Sequence, residues 1–169
     1  IADVGIIGLP NAGKSSLLAA ITNANPKIAS YQFTTLNPNL GVANYDNKEI
    51  TIADIPGLVE GAHKGTGLGI QFLKHIERCK SLLHMIDITN SDLEKSYKQV
   101  KSELKNYSSK LSKKKELIVL NKSDLIDEKE AKMILKKFSK VAKSETTILS
   151  TLEKKSINKI KAKLLSYVS

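Results

Sequence analysis

Cysteine is nearly absent from this 169-residue chain, and long apolar runs are missing altogether. The single cysteine, Cys79, excludes an internal disulfide and a thiolate metal cluster, and it favours a reducing environment. No apolar stretch approaches the roughly 18 residues that a membrane span needs, and no signal peptide is recognisable. We therefore expect a cytoplasmic protein with no membrane contact.

The composition is typical of one globular domain. Hydrophobic residues make up 41% of the chain and charged residues 26%, which is enough apolar material for a core. We expect a single, monomeric domain spanning residues 1–169. Because the chain starts at Ile1 inside a β-like run and stops abruptly at Ser169, we expect it to be part of a longer protein.

The net charge of +10 arises entirely in the second half of the chain. Residues 1–100 carry nine basic and nine acidic side chains, whereas residues 101–169 carry eighteen lysines and eight acids. A basic half can contact RNA. However, the lysines alternate with apolar residues at helical spacing, and Arg78 is the one arginine, so solvated helix faces are the favoured interpretation.

Short β-like runs alternate with helical patterns along the chain. This order predicts an α/β fold with a six-stranded, mostly parallel sheet, one antiparallel edge strand and helices on both faces. Asp46-Asn47 predicts a hairpin turn. The predicted strands are Ala2–Ile7, Gly41–Tyr45, Glu49–Ala53, Leu82–Ile86, Leu117–Leu120 and Thr146–Leu149. The predicted helices are Lys14–Asn23, Gly67–Cys79, Glu128–Lys143, Ser156–Tyr167 and one from Ser91 or Asp92 to about Leu111.

A glycine-rich segment after the first apolar run fits the phosphate-binding pattern G-x-x-x-x-G-K-S. It runs from Gly8 to Ser15 and opens a helical pattern, which is the context that this motif requires. Main-chain N–H groups of such a loop and helix start can point at phosphates. Lys14 can reach the β- and γ-phosphates, and Ser15 can bind Mg²⁺.

Two further motifs complete the predicted site. Asp54 ends a strand and begins D-x-x-G, so its carboxylate can hold Mg²⁺ through water, while Gly57 offers an N–H to a γ-phosphate. The segment Asn121-Lys122-Ser123-Asp124 follows another apolar run. The Asp124 carboxylate can accept two hydrogen bonds from guanine, whereas adenine lacks both donors. Asn121 can bond the base or tie this segment to the phosphate loop, and the Lys122 stem can cover the base.

The order and spacing of these motifs are typical of GTPases, and the details resemble the Obg family. The similar segments are GLPNAGKSS, YQFTTLNPNLGV, ADIPGLVEGAHKGTGLGIQFLKHIERC, LLHMID and NKSD. The resemblance implies a P-loop, Ras-like G domain that binds GTP and GDP with Mg²⁺. It also implies switch loops at Thr34-Thr35 and 57–69, and a last base-contacting loop at Ser150-Thr151, where Ser156 stands at a position often occupied by glycine.

These arguments define the expected site. The predicted catalytic residues are Lys14, Thr35 and Gly57, and the predicted metal ligands are Ser15 and Thr35. The residues expected to contact the nucleotide are Asn11, Ala12, Gly13, Lys14, Ser15, Ser16, Asp54, Gly57, Asn121, Lys122, Asp124, Leu125, Ser150, Thr151 and Leu152.

Hydrolysis is expected to be slow. Leu58 stands where many GTPases have a glutamine that orients the attacking water, and leucine has no hydrogen-bonding group for this role. Glu60 and His63 are more typical of solvated loop residues than of a replacement, so turnover of about 10⁻⁴–10⁻² s⁻¹ is expected. By resemblance, Asn11 offers the hypothesis of a K⁺ ion beside the phosphates, and the alternative is an asparagine that only stabilises the loop. Equal turnover rates in K⁺ and Na⁺ would contradict that ion.

The leading functional hypothesis is a molecular switch. Resemblance to the Obg family implies a role in large ribosomal subunit assembly, with that subunit or its RNA as a partner of the full-length protein. The alternative is a sensor of guanine nucleotides, including guanosine tetraphosphate, in which hydrolysis is incidental. A tRNA-modification GTPase and an adenine-nucleotide enzyme fit the sequence less well.

Overall fold

The computed structural model describes residues 2–23, 26–28, 38–54, 74 and 76–169. Within these residues, the strands are β1 Val4–Ile7, β2 Lys27–Ile28, β3 Asn39–Tyr45, β4 Lys48–Asp54, β5 Ser81–Asp87, β6 Lys115–Asn121 and β7 Glu145–Ile148. These seven strands form one mixed sheet in the order β2-β3-β4-β1-β5-β6-β7. The strands β4, β1, β5, β6 and β7 are parallel neighbours, and β3 runs antiparallel to both β2 and β4.

The predicted α/β class is confirmed, and the strand count is corrected from six to seven among the described residues. The added strand, Lys27–Ile28, pairs with Asn39 and Leu40 and forms the edge of the sheet. The antiparallel strand β3 is consequently second from the edge. A two-residue strand with both side chains exposed has no alternating pattern, so the sequence carries no signal for it.

The turn between β3 and β4 is the predicted two-residue hairpin. Asp46 and Asn47 both have positive φ angles, 54° and 58°. Two consecutive left-handed residues match the twist of an antiparallel pair, and Asp and Asn tolerate this conformation better than most residues.

Helices cover both faces of the sheet, as predicted. The helices are α1 Lys14–Ile21, α2 Leu93–Tyr107, α3 Ser109–Ser112, α4 Glu128–Ser139 and α5 Lys154–Val168, with 3₁₀ turns at Pro10–Ala12 and Ser123–Leu125. Their buried faces pack in three hydrophobic clusters. One cluster contains residues of α1 and α5, and the other two contain residues of α2, α3 and α4. No helix in these described ranges is long and apolar enough to cross a bilayer.

The helix predicted to continue to Leu111 is interrupted at Ser108. This residue is extended, with φ −159° and ψ 114°, and its Oγ accepts a hydrogen bond from Leu111 N, capping α3. The same Oγ donates to Glu77 Oε2 at 2.5 Å. A serine that can cap a new helix competes with helix continuation. At the other end, the sequence left Ser91 and Asp92 as alternative N-caps, and Asp92 is the one that caps the helix, accepting a hydrogen bond from Lys95 N.

The helix predicted over Gly67–Cys79 lies largely outside the described residues. Ile76 and Cys79 are described, and both are buried. Burial also raises the pKa of the Cys79 thiol, as expected for a cysteine in a hydrophobic core.

Candidate functional site

The phosphate-binding motif lies between β1 and α1, at the carboxyl edge of the parallel strands. Residues Pro10–Ala12 form a 3₁₀ turn, and Gly13 then adopts φ +94°. A Cβ at Gly13 would lie 2.4 Å from Asn121 Nδ2, so both the backbone angle and the close approach require glycine. The loop is therefore shaped by its own glycine and by a residue from a distant strand.

The start of α1 presents main-chain donors that the helix itself does not use. Gly13 is the N-cap and has no side chain with which to cap the helix, and the hydrogen bond from Leu17 N to Gly13 O closes the first turn. The N–H groups of Lys14, Ser15 and Ser16 lie before this first helical hydrogen bond in the chain, so the helix does not use them. Uncapped first-turn N–H groups and the helix dipole together favour an anion.

Lys14 reaches back across the loop. Its Nζ donates to Gly8 O at 2.7 Å. The ammonium group is thus held beside the same loop whose N–H groups point outward from the helix start, so positive charge is concentrated there. The arrangement suits a polyphosphate.

Ser15 and Asp54 meet across two adjacent elements. The Ser15 hydroxyl donates to Asp54 Oδ2 at 3.1 Å, and Asp54 is only 2% exposed. Asp54 ends β4, which pairs in parallel with β1 beside the loop. A hydroxyl and a carboxylate at the mouth of an anion site are hard oxygen donors of the kind that Mg²⁺ prefers. The residues present therefore fit the predicted ion. In the described part of the chain, no group of three or more His, Cys, Asp or Glu residues offers a different metal site.

Asn121 joins the candidate base-binding segment to the phosphate loop. Its Nδ2 donates to Ala12 O at 2.9 Å, and the residue is 2% exposed. The sequence left two roles open for Asn121, a bond to the base or a tie to the phosphate loop. The structure contains the tie to the phosphate loop. Among the described residues its Oδ1 has no hydrogen-bond partner.

Lys122 adds a second tie between the same segments. The residue adopts φ +67°, and its Nζ donates to Asn11 O at 2.8 Å and to Asp87 Oδ2 at 2.9 Å. Asp87 ends β5 and was not among the predicted site residues. Its position at the end of an apolar strand, like that of Asp54, was a signal in the sequence that could have indicated it. Partial burial raises the pKa of Asp87, but hydrogen bonds from Thr89 and Lys122 outweigh burial and lower it. The carboxylate is thus held ionised beside Lys122.

Asp124 is oriented by the loop after β7. Ser150 Oγ donates to Asp124 Oδ1 at 2.9 Å and accepts from Leu152 N at 3.3 Å. Ser150 N donates to Ser156 Oγ at 2.9 Å, so the serine at the position often taken by glycine supports this loop. Thr151 lies in the same turn.

Two large apolar side chains are exposed beside the Asp124 segment and the loop after β7. Leu125 is 64% exposed and Leu152 is 79% exposed. The predicted positions Asn11, Ala12, Gly13, Ser16, Leu125 and Leu152 all fall at the carboxyl edge of the sheet or directly after it. The predicted residues Thr34, Thr35, Gly57, Leu58, Glu60 and His63 lie outside the described residues.

A mostly parallel sheet with a glycine loop at its carboxyl edge, tied to a second loop carrying Asp124, defines the class of P-loop G domains. The sequence profile of the family described as "50S ribosome-binding GTPase" matches residues 3–122. The chain belongs to this family.

The most informative relatives support the resemblance inferred from the sequence. GTPase Obg of Pelagibacter ubique (strain HTCC1062) is 75% identical over 169 residues, covering all of this chain and 52% of that protein. GTPase Obg of Ehrlichia canis (strain Jake) is 56% identical over 164 residues, covering 91% of this chain and 48% of that protein. The chain thus spans about half the length of these curated relatives.

Solved structures confirm the fold alone. The G domain of the T. maritima FeoB iron transporter superposes with a TM-score of 0.70 at 22% identity, covering 98% of each chain. The cytosolic domain of the same transporter in its GMPPNP form gives a TM-score of 0.72 at 20% identity, covering all of this chain and 64% of that one.

Proposed function

We propose that the chain binds guanine nucleotides and hydrolyses GTP, acting as a molecular switch. The observation that carries this proposal is the pair of ties that hold the Asp124 segment in place. Asn121 donates to Ala12 O in the phosphate loop, and Ser150 donates to Asp124 Oδ1. These bonds support the proposal, because they fix the Asp124 carboxylate relative to the phosphate loop, and recognition of a base joined to a polyphosphate needs such a fixed distance.

Asp124 would read the base. One oxygen of its carboxylate accepts from Ser150, which orients the group and leaves further lone pairs for a ligand. The guanine N1–H and N2–H₂ groups can both donate to one carboxylate. Adenine has no donors at these positions and would leave the carboxylate unpaired, so discrimination of about 10⁴–10⁵ is expected. Lys122, Leu125 and Leu152 would flank the base.

The start of α1 would hold the phosphates. The N–H groups of Lys14, Ser15 and Ser16 provide hydrogen bonds, and the Lys14 ammonium group provides charge beside Gly8. As the bond to the leaving diphosphate lengthens, negative charge grows on its oxygens. Donors that are already in place stabilise that charge without reorganisation.

Ser15 and Asp54 would hold Mg²⁺, the serine directly and the carboxylate through water. When bound, Mg²⁺ neutralises charge on the phosphate oxygens. The hydrogen bond between Ser15 Oγ and Asp54 Oδ2 holds both oxygens at one side of the phosphate loop. Thr35 as a further ligand, Gly57 as a γ-phosphate donor and K⁺ beside Asn11 remain predictions.

We further propose that the protein acts on the large ribosomal subunit, through a longer chain of the length of its relatives. The family description "50S ribosome-binding GTPase" supports this partner. The excess of ten positive charges within residues 101–169 supports contact with RNA, since phosphate backbones attract lysine. Ordering and release of the loops around Thr35 and Gly57 would signal the nucleotide state.

Nucleotide titration with a base-reading variant tests the function. The wild-type chain should bind GTP and GDP with Mg²⁺ far more tightly than ATP, measured by calorimetry. Asp124→Asn should weaken GDP binding by at least 100-fold and favour xanthosine diphosphate, whose oxygen replaces the guanine amino group.

Asp127→Asn is the matched control, because Asp127 is an exposed acid three residues away whose side chain makes no capping bond. It should leave GDP affinity unchanged. Tight ATP binding by the wild-type chain, or an equal loss of GDP affinity in both variants, would contradict the assignment of Asp124.

A further inference from the structure

Asp87 lies at the end of β5, beside the proposed base-reading segment but outside the predicted set of site residues. In the sheet it pairs with Asn121 of β6, and directly after it Ile88 N donates to Asn121 O at 2.9 Å. Strand pairing therefore fixes the backbone of Asp87 next to the residue that precedes Lys122. The position of this carboxylate is set by the sheet rather than by a loop.

The two carboxylate oxygens of Asp87 have different partners. Oδ1 accepts from Thr89 N at 2.8 Å and from Thr89 Oγ1 at 2.6 Å. Oδ2 accepts from Lys122 Nζ at 2.9 Å. A carboxylate with two donors on one oxygen has little freedom to rotate. Thr89 thus orients the group, and this orientation aims the second oxygen at Lys122.

Lys122 is held between β5 and the phosphate loop. Its ammonium group donates to Asp87 Oδ2 and, at 2.8 Å, to Asn11 O. Its backbone has φ +67°, a left-handed conformation that is unfavourable for a residue with a side chain. A lysine also loses much rotamer freedom when it is held in one position. The observed position of Lys122 therefore depends on its partners, and Asp87 is the charged one.

The ion pair is better suited to positioning than to stabilising the fold. The side chains of Lys122 and Asp87 are 34% and 22% exposed, and ion pairs near the surface contribute little to folding. The same pair is well placed to act on a ligand. The Lys122 stem is expected to cover the base, and its ammonium group contacts the loop expected to hold the phosphates. Without the carboxylate, Lys122 would be free to adopt other rotamers.

We propose that Asp87 is a positioning residue that acts through Lys122 and prolongs the lifetime of the bound guanine nucleotide. The inference rests on the proposed function, because it concerns the same nucleotide site. Asp87 holds Lys122 in place before the nucleotide arrives, so less conformational entropy is lost on binding. The effect is expected mainly in the dissociation rate, where most differences among variants of one binding site are found.

A double-mutant cycle on the whole 169-residue chain tests the action through Lys122. Asp87→Asn keeps an acceptor for Thr89 but replaces the second oxygen by an amide group that cannot accept from Lys122. Dissociation of a fluorescently labelled GDP, measured after addition of excess unlabelled GDP, should become about three- to tenfold faster. In a Lys122→Met background the same substitution should have no effect, because the ammonium group on which Asp87 acts is already gone.

Two further variants sharpen the result. Glu94→Gln is the matched control, because it breaks an exposed ion pair within α2, in which Lys98 Nζ lies 2.8 Å from Glu94 Oε1. It should leave GDP dissociation unchanged. Thr89→Val keeps the Asp87 carboxylate but removes one of the bonds that orient it. It should accelerate dissociation less than Asp87→Asn does.

The outcomes separate this proposal from the proposed function. Unchanged GDP dissociation in Asp87→Asn would overturn the positioning role. Equal acceleration by Asp87→Asn in the wild-type and Lys122→Met backgrounds would also overturn it, because Asp87 would then act only through the turn after β5. A wild-type chain that does not bind labelled GDP at all would overturn the proposed function, and this inference with it.

Discussion

Ser150 and Ser156 form a relay of hydrogen bonds that ends at Asp124. Ser156 Oγ accepts from Ser150 N, and Ser150 Oγ donates to Asp124 Oδ1. Ser156 belongs to the first turn of α5, so this helix is connected to the proposed base-reading carboxylate. A glycine at position 156 would lack the acceptor and leave Ser150 N to another partner.

Ser156→Ala should weaken GDP binding by about two- to tenfold, because the Ser150 loop loses one of its hydrogen bonds and Asp124 is less well positioned. Fluorescence titration with a labelled GDP measures the affinity. Ser166→Ala, at the exposed end of the same helix, is the control, since its hydroxyl donates to Lys163 O within that helix. If both variants bound GDP like the wild-type chain, the positioning role of Ser156 would be wrong.

At the scale of elements, a buried polar cluster joins β5, β6 and α2. His84 of β5 contacts Glu116 of β6, and Lys101 of α2 completes the set. Burial lowers the pKa of His84, which outweighs the opposing effect of Glu116. Burial raises the pKa of Glu116, but hydrogen bonds from His84 and Lys101 outweigh it and lower the pKa. A neutral histidine thus donates to an ionised glutamate.

This cluster predicts that acid destabilises the fold. Below the unfolded His pKa of 6.5, the unfolded chain binds a proton at His84 that the folded chain does not bind. The free energy of unfolding should therefore fall as the pH is lowered from 7.5 to 5.5, with a slope approaching about 1.4 kcal/mol per pH unit. Urea unfolding at each pH measures this.

His84→Gln separates this effect from other titrations. The variant should be less stable at pH 7.5, because packing against Tyr97 is lost, but its stability should depend less on pH in this window. Glu116 does not interfere, since its unfolded pKa of 4.5 lies below the range. Parallel pH profiles for the wild-type chain and the variant would show that His84 is not the group responsible.

At the scale of the whole molecule, the two edges of the sheet differ in charge and chemistry. The carboxyl edge carries the phosphate loop and Asp124. The amino ends of the parallel strands meet at the opposite side of the sheet, which carries five lysines and which we call the basic edge. These lysines are Lys80 before β5, Lys105 at the end of α2, Lys110 in α3, and Lys113 and Lys115 at the start of β6. All five are exposed. Lysines near helix ends also complement the helix dipole, so their presence has a structural explanation too.

Charge reversal at the basic edge tests contact with the ribosomal subunit. Substituting Lys105, Lys110 and Lys113 by glutamate in the full-length protein should reduce co-sedimentation with large subunits by at least tenfold and lower the salt dependence of binding. The control reverses Lys129, Lys132 and Lys155, three exposed lysines near the other edge. Equal losses in both triples would indicate attraction to net charge rather than a contact surface.

Much of the site could be predicted because its key features are local. The glycine at position 13, the Lys14-Ser15 pair and the Asn121–Asp124 segment each lie within a few residues, and short-range geometry dictates what such segments can bind. The hairpin at Asp46-Asn47 and the cap at Asp92 follow from the same kind of rule. Alternation of apolar runs was enough to predict the class of sheet.

Only the tertiary structure decided which distant groups meet. The bonds of Asn121 to Ala12, Lys122 to Asp87 and Ser150 to Asp124 depend on the order of strands in the sheet. So does the edge strand Lys27–Ile28, which pairs with Asn39 and Leu40. Sequence spacing contains no information on these pairings, because they arise only when parallel strands bring their carboxyl ends together and polar groups from different segments meet there.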